Sequence, residues 1–426
     1  MFHAQAVPHR KGVFFCTLFC LQLLAIALCI TLPHILSAQT IPISPKTIKD
    51  SKGKDFWLAF PRNHHENGGG SLDKIYISIV SERATQGKIE YIHEGKTRTQ
   101  AFALVANDVY TFEQPYFGLE LEGQTISRTT FHITSDEEVT VYGLSLATTT
   151  SDAFLAFPTD VLGREHIIAS YPTNIRSNQN NFLDIRQSTV SQFAIVAPYD
   201  STVVSITPTV KTWNNDTTTY SIVLNRGEGY LVSLYPSIQN VRWDFTGSRV
   251  ISSKPVVVYG GHERAAIPVS QQVSRDYLIE QMLPIEVWGK TALVAPFPTP
   301  TRGDVPETRG CDLVRVIAGY NNTVVTVNNV TVATLQTGGF YEMAITTSAS
   351  IVTSEPSIVA SYKCSATANI GDPFLAIIPP VEQFLTRYRF VCVQGTQVAN
   401  NTTGRTEPAF REHYVSIVVP STKATS

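Results

Sequence analysis

An aspartate, a short apolar run and a closing proline recur four times along this chain. The copies are Asp55-Phe-Trp-Leu-Ala-Phe-Pro61, Asp152-Ala-Phe-Leu-Ala-Phe-Pro158, Asp276-Tyr-Leu-Ile-Glu-Gln-Met-Leu-Pro284 and Asp372-Pro-Phe-Leu-Ala-Ile-Ile-Pro379. Their starts lie 97, 124 and 96 residues apart. Repetition constrains a fold more than local propensity does, because every copy must find comparable surroundings. After the last three copies a proline and an acid follow two residues apart, as Pro158/Asp160, Pro284/Glu286 and Pro380/Glu382. Such a pair favours a short helical turn. Leu162, Trp288 and Phe384 stand two residues further on and are expected to tuck that turn into a core.

Two further elements repeat. A polar lead enters a strand at Ser135-Asp-Glu-Glu-Val-Thr-Val-Tyr142, Ser252-Ser-Lys-Pro-Val-Val-Val-Tyr259 and Ser354-Glu-Pro-Ser-Ile-Val-Ala360. Pro255 and Pro356 place these at the start or edge of a strand, since proline donates no ladder hydrogen bond. An apolar strand, a turn and a Thr-Val-Val strand run from Phe193 to Val204 and again from Val314 to Val325. Leu224/Gly227/Tyr230 and Leu335/Gly338/Tyr341 share one spacing beyond them.

Short runs of Val, Ile, Thr, Tyr and Phe between turn residues fill the rest, among them Lys74–Val80, Thr202–Thr207 and Thr323–Val327. These compositions favour pleated, half-buried strands, and no window has convincing helical periodicity. The expected fold is all-β: tandem or interlocked sandwich-like repeats with short helical turns. The alternative is a propeller, which would need paired blades per unit. The expected divisions are a signal at 1–38, a linker at 39–52, repeats at 53–151, 152–275 and 276–371, and an incomplete repeat at 372–426. Tyr414–Pro420 resembles the opening of the third element, so residues 400–426 are expected to be poorly ordered.

Composition bounds the function. Charged residues make up 16% of the chain and the formal charge is −2. No basic field exists to attract nucleic acid or an anionic membrane. Arg10 and Lys11 precede an apolar run from Val13 to Ile30, and Leu36-Ser37-Ala38 offers small residues at a cut. That is the pattern of a cleaved secretion signal with Ala38 at the cleavage site. A transmembrane anchor is the alternative, because the run approaches the roughly 20 residues a span needs. Beyond the signal remain Cys311, Cys364 and Cys392, an odd set that is no disulfide framework. Cys364 and Cys392 could pair, but buried thiols are the simpler reading.

Residues 252–298 carry a more specific pattern: Lys254-Pro-Val-Val-Val-Tyr-Gly-Gly-His262, Ala265 to Pro268, Asp276 to Pro284, and Trp288-Gly289. It reads as a strand from Pro255 to Tyr259, a Gly-Gly turn, a loop and the Asp-led run. The stretch resembles the N-terminal domain family of the IgG Fc-binding protein, and Gly371-Asp-Pro-Phe and Pro379 to Phe384 fit the same family. The resemblance implies a secreted or surface-exposed all-β module used in adhesion, mucus or matrix contact, and no enzyme. It marks Pro255, His262, Asp276, Pro284, Trp288 and Gly289 as structural motif residues. Where the family often carries two cysteines, this chain has Arg264 and Arg275, so packing must replace a bridge expected to contribute roughly 3 kcal/mol.

Candidate chemistry is sparse. His262-Glu263 lacks the three ligands of a catalytic zinc, and His262 reads as a structural hydrogen-bonding residue. His64-His65-Glu66 precedes three glycines and reads as a solvated loop. Asp136-Glu137-Glu138 reads as a solvated turn rather than a glycosidase pair. Arg302-Gly303-Asp304 reads as an accidental integrin tripeptide. Sequons at Asn215, Asn321, Asn329, Asn400 and Asn401 fit exposed loops. No catalytic, cofactor or metal residue is assigned. Two functions remain: a secreted or cell-surface module binding extracellular protein or glycan, and a secreted carbohydrate-active enzyme or its accessory domain.

Overall fold

A long, bent strand organises each third of the chain in the computed structural model. Residues 50–418 are described apart from 71–72, 175–187, 215–216, 238–242, 270–274, 299–311, 365–372, 386–397, 400–405, 408–412 and 414. All of them belong to the body spanning Lys46–Ser426. The signal with Ala38, Arg302-Gly303-Asp304, Cys311, Cys392, Asp372, and the sequons at Asn215, Asn400 and Asn401 lie outside the described residues. So does most of 400–426.

The first module holds β1 (Gly53–Leu58), β2 (Lys74–Ser81), β3 (Thr85–His93), β4 (Lys96–Leu104), β5 (Val109–Pro115), β6 (Phe131–Ala147) and β7 (Thr150–Ala156). The second holds β8 (Gly163–Ile167), β9 (Ser191–Ala197), β10 (Thr202–Thr207), β11 (Tyr220–Leu224), β12 (Glu228–Ser233), β13 (Arg249–Ala265) and β14 (Asp276–Gln281). The third holds β15 (Gly289–Val294), β16 (Asp312–Ala318), β17 (Thr323–Val327), β18 (Val330–Leu335), β19 (Phe340–Ile345), β20 (Ala349–Tyr362) and β21 (Leu375–Ile378). Strand order is the same in all three: β4-β3-β6-β2-β5, β11-β10-β13-β9-β12 and β18-β17-β20-β16-β19. The first and last strand of each module also pair with its long strand. The chain is thus all-β, and among the described residues one seven-strand design is used three times. Ile126–Ser127 adds an eighth strand to the middle sheet, at the edge of β12.

The long strands correct the sequence reading. Pro255 lies inside β13, not at a strand start. Residues 249–252 pair with β10, Val256 pairs with Gly163 of β8, residues 257–262 pair with β9, and 253–255 have no ladder partner. The strand turns a corner there, so the missing N–H of Pro255 costs no ladder bond. Pro356 occupies the same corner of β20, between partners of β17 and β16. Lys54 and Lys290 brace the corners by donating from Nζ to the carbonyls of Asp136 and Ser354.

Gly260-Gly261 is no turn either, because both residues lie in the ladder of β13. A Cβ on Gly260 would meet Ala169 O at 2.3 Å, and one on Gly261 would meet Leu278 O at 1.9 Å. The pair lets neighbouring backbones approach. True turn glycines are Gly227 and Gly338, with φ of 78° and 77°, before β12 and β19.

The first aspartate segment is also reassigned. Strands β7, β14 and β21, from the last three copies, each pair with the second half of a long strand. Asp55 instead lies on β1, which pairs with the first half of β6. The equivalents of β1 are β8 and β15, and the shared signal is Gly-Lys/Arg followed five residues later by alanine: Gly53/Lys54/Ala59, Gly163/Arg164/Ala169 and Gly289/Lys290/Ala295. Each glycine faces the proline that closes its own module. A Cβ there would lie 2.2 Å from Pro158 Cβ, 2.3 Å from Pro284 Cβ and 2.4 Å from Pro380 Cβ. Limits at 151/152 and 275/276 cut into the sheets, so we propose repeat limits before Gly53, Gly163 and Gly289.

Short 3-10 turns at Ile285–Val287 and Val381–Gln383 follow β14 and β21. Their prolines are N-caps rather than first helical residues. Glu382 accepts hydrogen bonds from Lys290 N (3.0 Å) and Thr291 N (3.4 Å), so the acid braces the module's first strand. Leu162 and Trp288 are buried as expected, whereas Phe384 is half-buried.

The modules share their cores. In β9, Phe193, Ile195 and Ala197 join one apolar cluster with Leu313, Ile317 and Tyr362 of the third module. Ala194 and Val196, on the opposite face, join Phe56, Phe131 and Phe154 of the first. A strand buried on both faces reads as a continuous apolar run, which is why Ser191–Ala197 shows no alternation.

His166 of β8 sits in this interior, where the first module has Phe56. It is fully buried and neither ring nitrogen meets a partner. Burial lowers its pKa to about 3. The unfolded imidazole titrates near 6.5, so between those values only the unfolded chain takes up the proton. Stability from this site is therefore lost as pH falls from about 6.5 towards 3. Urea melts of His166→Leu are expected to lose roughly 2–3 kcal/mol less than the parent between pH 7 and pH 4.5. Equal losses in the two proteins would refute the assignment.

Candidate functional site

A cleft of about 600 Å³ opens where the first and second modules meet. Its first wall is the loop that continues β1. Phe60–Pro61 pairs in parallel with Glu120–Leu121, which brings Glu120 beneath the residues that follow. His65 then lies between two carboxylates, with Nδ1 2.8 Å from Asp73 Oδ2 and Nε2 3.1 Å from Glu120 Oε2. Its ring stacks on Tyr116 with centroids 3.5 Å apart. Burial alone would lower the His65 pKa, but Glu120 and Asp73 outweigh it and raise it above the ordinary value. Burial raises Glu120, against the pull of His65.

This corrects the solvated-loop reading of His64-His65-Glu66: the His65 side chain is 9% exposed. The carboxylates that hold it are 8 and 55 residues away in sequence, and no local pattern reports them. His64 differs from its neighbour. Burial, with Arg264 and Arg275 nearby, lowers its pKa to about 4, so it is neutral at physiological pH.

The end of β13 supplies the facing wall. Glu263, its side chain 8% exposed, pairs with Arg62 Nε at 3.2 Å. Burial raises the Glu263 pKa and Arg62 opposes the shift. Arg264 donates from Nη1 to Glu66 Oε1 and from Nη2 to Thr149 Oγ1, both at 3.1 Å. Its Nε reaches Arg275 O at 3.5 Å. Arg264 thus spans the two positions where the family resemblance leads one to look for cysteines, and it ties that loop to the first module.

His262 is fully buried and accepts a hydrogen bond at Nδ1 from Arg264 N at 2.9 Å. Burial lowers its pKa to about 3. Asp276 Oδ1 accepts from Ser151 N and Tyr277 N, joining β14 to β7. Tyr277 reaches further, its hydroxyl donating to Pro61 O at 2.6 Å. Trp288 Nε1 donates to Leu283 O at 3.0 Å, and its ring packs in the core between the second and third modules. Pro284 closes the second module, and Gly289 opens the third against its closing proline, Pro380. The motif residues therefore divide: His262 and Asp276 stand beside the cleft's walls, while Pro255, Pro284, Trp288 and Gly289 shape corners and closures remote from it.

Polar side chains and rings complete the lining. Gln192 Nε2 donates to Arg62 O at 2.7 Å, and Gln124 Nε2 to Ser233 O at 3.1 Å. Trp213, 46% exposed, stands at the rim beside Tyr235. Among the described residues no group of three or more His, Cys, Asp or Glu could hold a metal ion. Cys364 is a buried thiol, and the sequon residues Asn321 and Asn329 occupy exposed turns. No helix among the described residues is long and apolar enough to cross a membrane.

The fold is an all-β repeat array with an open cleft between its first and second modules. A family profile described as IgGFc binding protein matches residues 152–426, and the chain belongs to that family. The human IgGFc-binding protein is 23% identical over 370 residues. The match covers 82% of this chain and 6% of that protein, so the chain spans a small fraction of its relative's length.

Proposed function

We propose that this protein is a secreted or cell-surface binding module that contacts an extracellular protein or glycan in an adhesive, mucus or matrix setting. Family membership supports the binding role. The observation that carries the reading is the cleft itself: its charged walls, Arg62 and Glu263, are already satisfied by each other, which leaves a preformed surface for contact. Export follows from the apolar N-terminal run and the Ala38 cut. Secreted protein is expected to begin at Gln39, which N-terminal sequencing checks. Residues 39–426, purified and applied to glycan, mucin and cell-surface arrays, are expected to bind a defined subset. Binding to none of them would remove the reading's main support.

A second reading, hydrolysis of a glycan, draws on the buried carboxyls Glu120 and Glu263, both raised by burial near one cleft. Each is held by protein partners, Glu120 by His65 and Asn63 N, Glu263 by Arg62 and Val190 N. Chromatography of the array's soluble oligosaccharides after overnight incubation separates the readings. Intact oligosaccharides support binding, and products that vanish with Glu263→Gln support hydrolysis.

A further inference from the structure

We infer that the cleft between the first and second modules is a site for a neutral oligosaccharide, with the Trp213 indole as its stacking platform. The inference rests on the binding reading above and narrows it to one ligand class. A sugar ring presents an apolar C–H face and a rim of hydroxyls that both donate and accept. A complementary site needs an exposed aromatic face and side chains with mixed hydrogen-bonding capacity.

The cleft has both. Trp213 lines it with 46% of its surface free, and Tyr235, 40% exposed, supports the indole from 5.5 Å. Backbone and side chains hold the platform: Trp213 N donates to Ser233 O and Tyr235 N to Lys211 O, both at 3.0 Å, Asn214 Nδ2 donates to Gln124 O at 3.0 Å, and Lys211 Nζ lies 5.0 Å over the Tyr235 ring. Gln124, Gln192, Ser188 and Ser233 add uncharged polar groups to the same lining. The volume lies within the roughly 300–1,000 Å³ of small-molecule sites.

The lining residues themselves offer acidic sugars no attraction. Arg62 is neutralised by Glu263, and His64, at a pKa of about 4, carries no charge at pH 7. Glu122 on the lining adds a negative group. Sialylated or sulfated glycans would meet no unpaired cation among these lining residues.

The test titrates residues 39–426 with N-acetyllactosamine, chitotriose, mannotriose and xylotriose, and with a sialylated and a sulfated trisaccharide, following tryptophan fluorescence and heat. At least one neutral sugar is expected to bind. Trp213→Ala is expected to weaken it at least tenfold, Trp213→Phe less, with melting temperatures unchanged because the residue is exposed. Neutral binding unaffected by Trp213→Ala, or binding of the acidic sugars alone, would overturn the site. If sugars fail while a protein or cell surface binds, the glycan assignment falls and the binding reading stands. If nothing binds, both fall.

Discussion

Arg315→Ala is expected to destabilise the protein by roughly 3–5 kcal/mol, the cost of breaking a buried ion pair from one side. Arg315 projects from β16 of the third module and is 3% exposed. Its Nη1 donates to Asp244 Oδ2 at 3.0 Å, Ser170 O at 2.9 Å and Thr246 Oγ1 at 2.8 Å, all in the second module. Its Nε donates to Glu342 at 2.7 Å. The guanidinium also lies over Tyr171, Phe340 and Tyr362, 4.5–5.4 Å from their centroids. Burial disfavours the charge, but Asp244, Tyr362 and Glu342 outweigh it, so the arginine stays protonated. Alanine would leave Asp244, itself 9% exposed, without its countercharge. Arg315→Met combined with Asp244→Asn removes both charges and is expected to recover much of the loss. Denaturant melts of the parent, Arg315→Ala and the double variant test this. A single-variant loss below about 1 kcal/mol, the worth of an exposed pair, would contradict it.

Gly261→Ala is the second large effect, with an expected cost of roughly 3 kcal/mol, at the upper end of overpacking penalties. The added methyl would lie 1.9 Å from Leu278 O and 2.8 Å from Leu278 C, atoms of the adjacent backbone in β14. A flexible side chain could swing away, but a paired backbone cannot move without opening the β13–β14 ladder. Gly95→Ala is the comparison. Its φ is 71° but nothing lies within 4 Å, so only the left-handed backbone is penalised, by about 1 kcal/mol. Thermal melts in which the two variants lose equal stability would refute the close-approach argument.

Particular residues show what the sequence made legible. Strands Thr202–Thr207 and Thr323–Val327 appear with the limits their β-branched runs suggested. Gly227 and Gly338 share a turn because Leu-x-x-Gly-x-x-Tyr carried a backbone requirement that only one spacing satisfies. The corners were not legible, because Ser-Lys-Pro and Ser-Glu-Pro look like strand beginnings unless both halves of a bent strand are seen to have partners. Asp55 looked like a fourth copy because an apolar run ending in proline suits two strand positions. The alignment of Gly53, Gly163 and Gly289 would have separated them. The cleft was least legible. His65, Asp73, Glu120, Glu263 and Arg62 come together only through the pairing of Phe60–Pro61 with Glu120–Leu121 and the length of β13. The rim tryptophan carried no signal beyond its own identity.

The cleft is a fixed site only if the modules that form its walls behave as one body. Shared cores and the Arg315 and Arg264 ties between modules lead to that expectation. Differential scanning calorimetry of residues 39–426 measures it directly. A single transition whose calorimetric and van't Hoff enthalpies agree is the predicted result. Two or three resolved transitions, each with the enthalpy of one seven-strand module, would show modules that fold alone and would contradict the account.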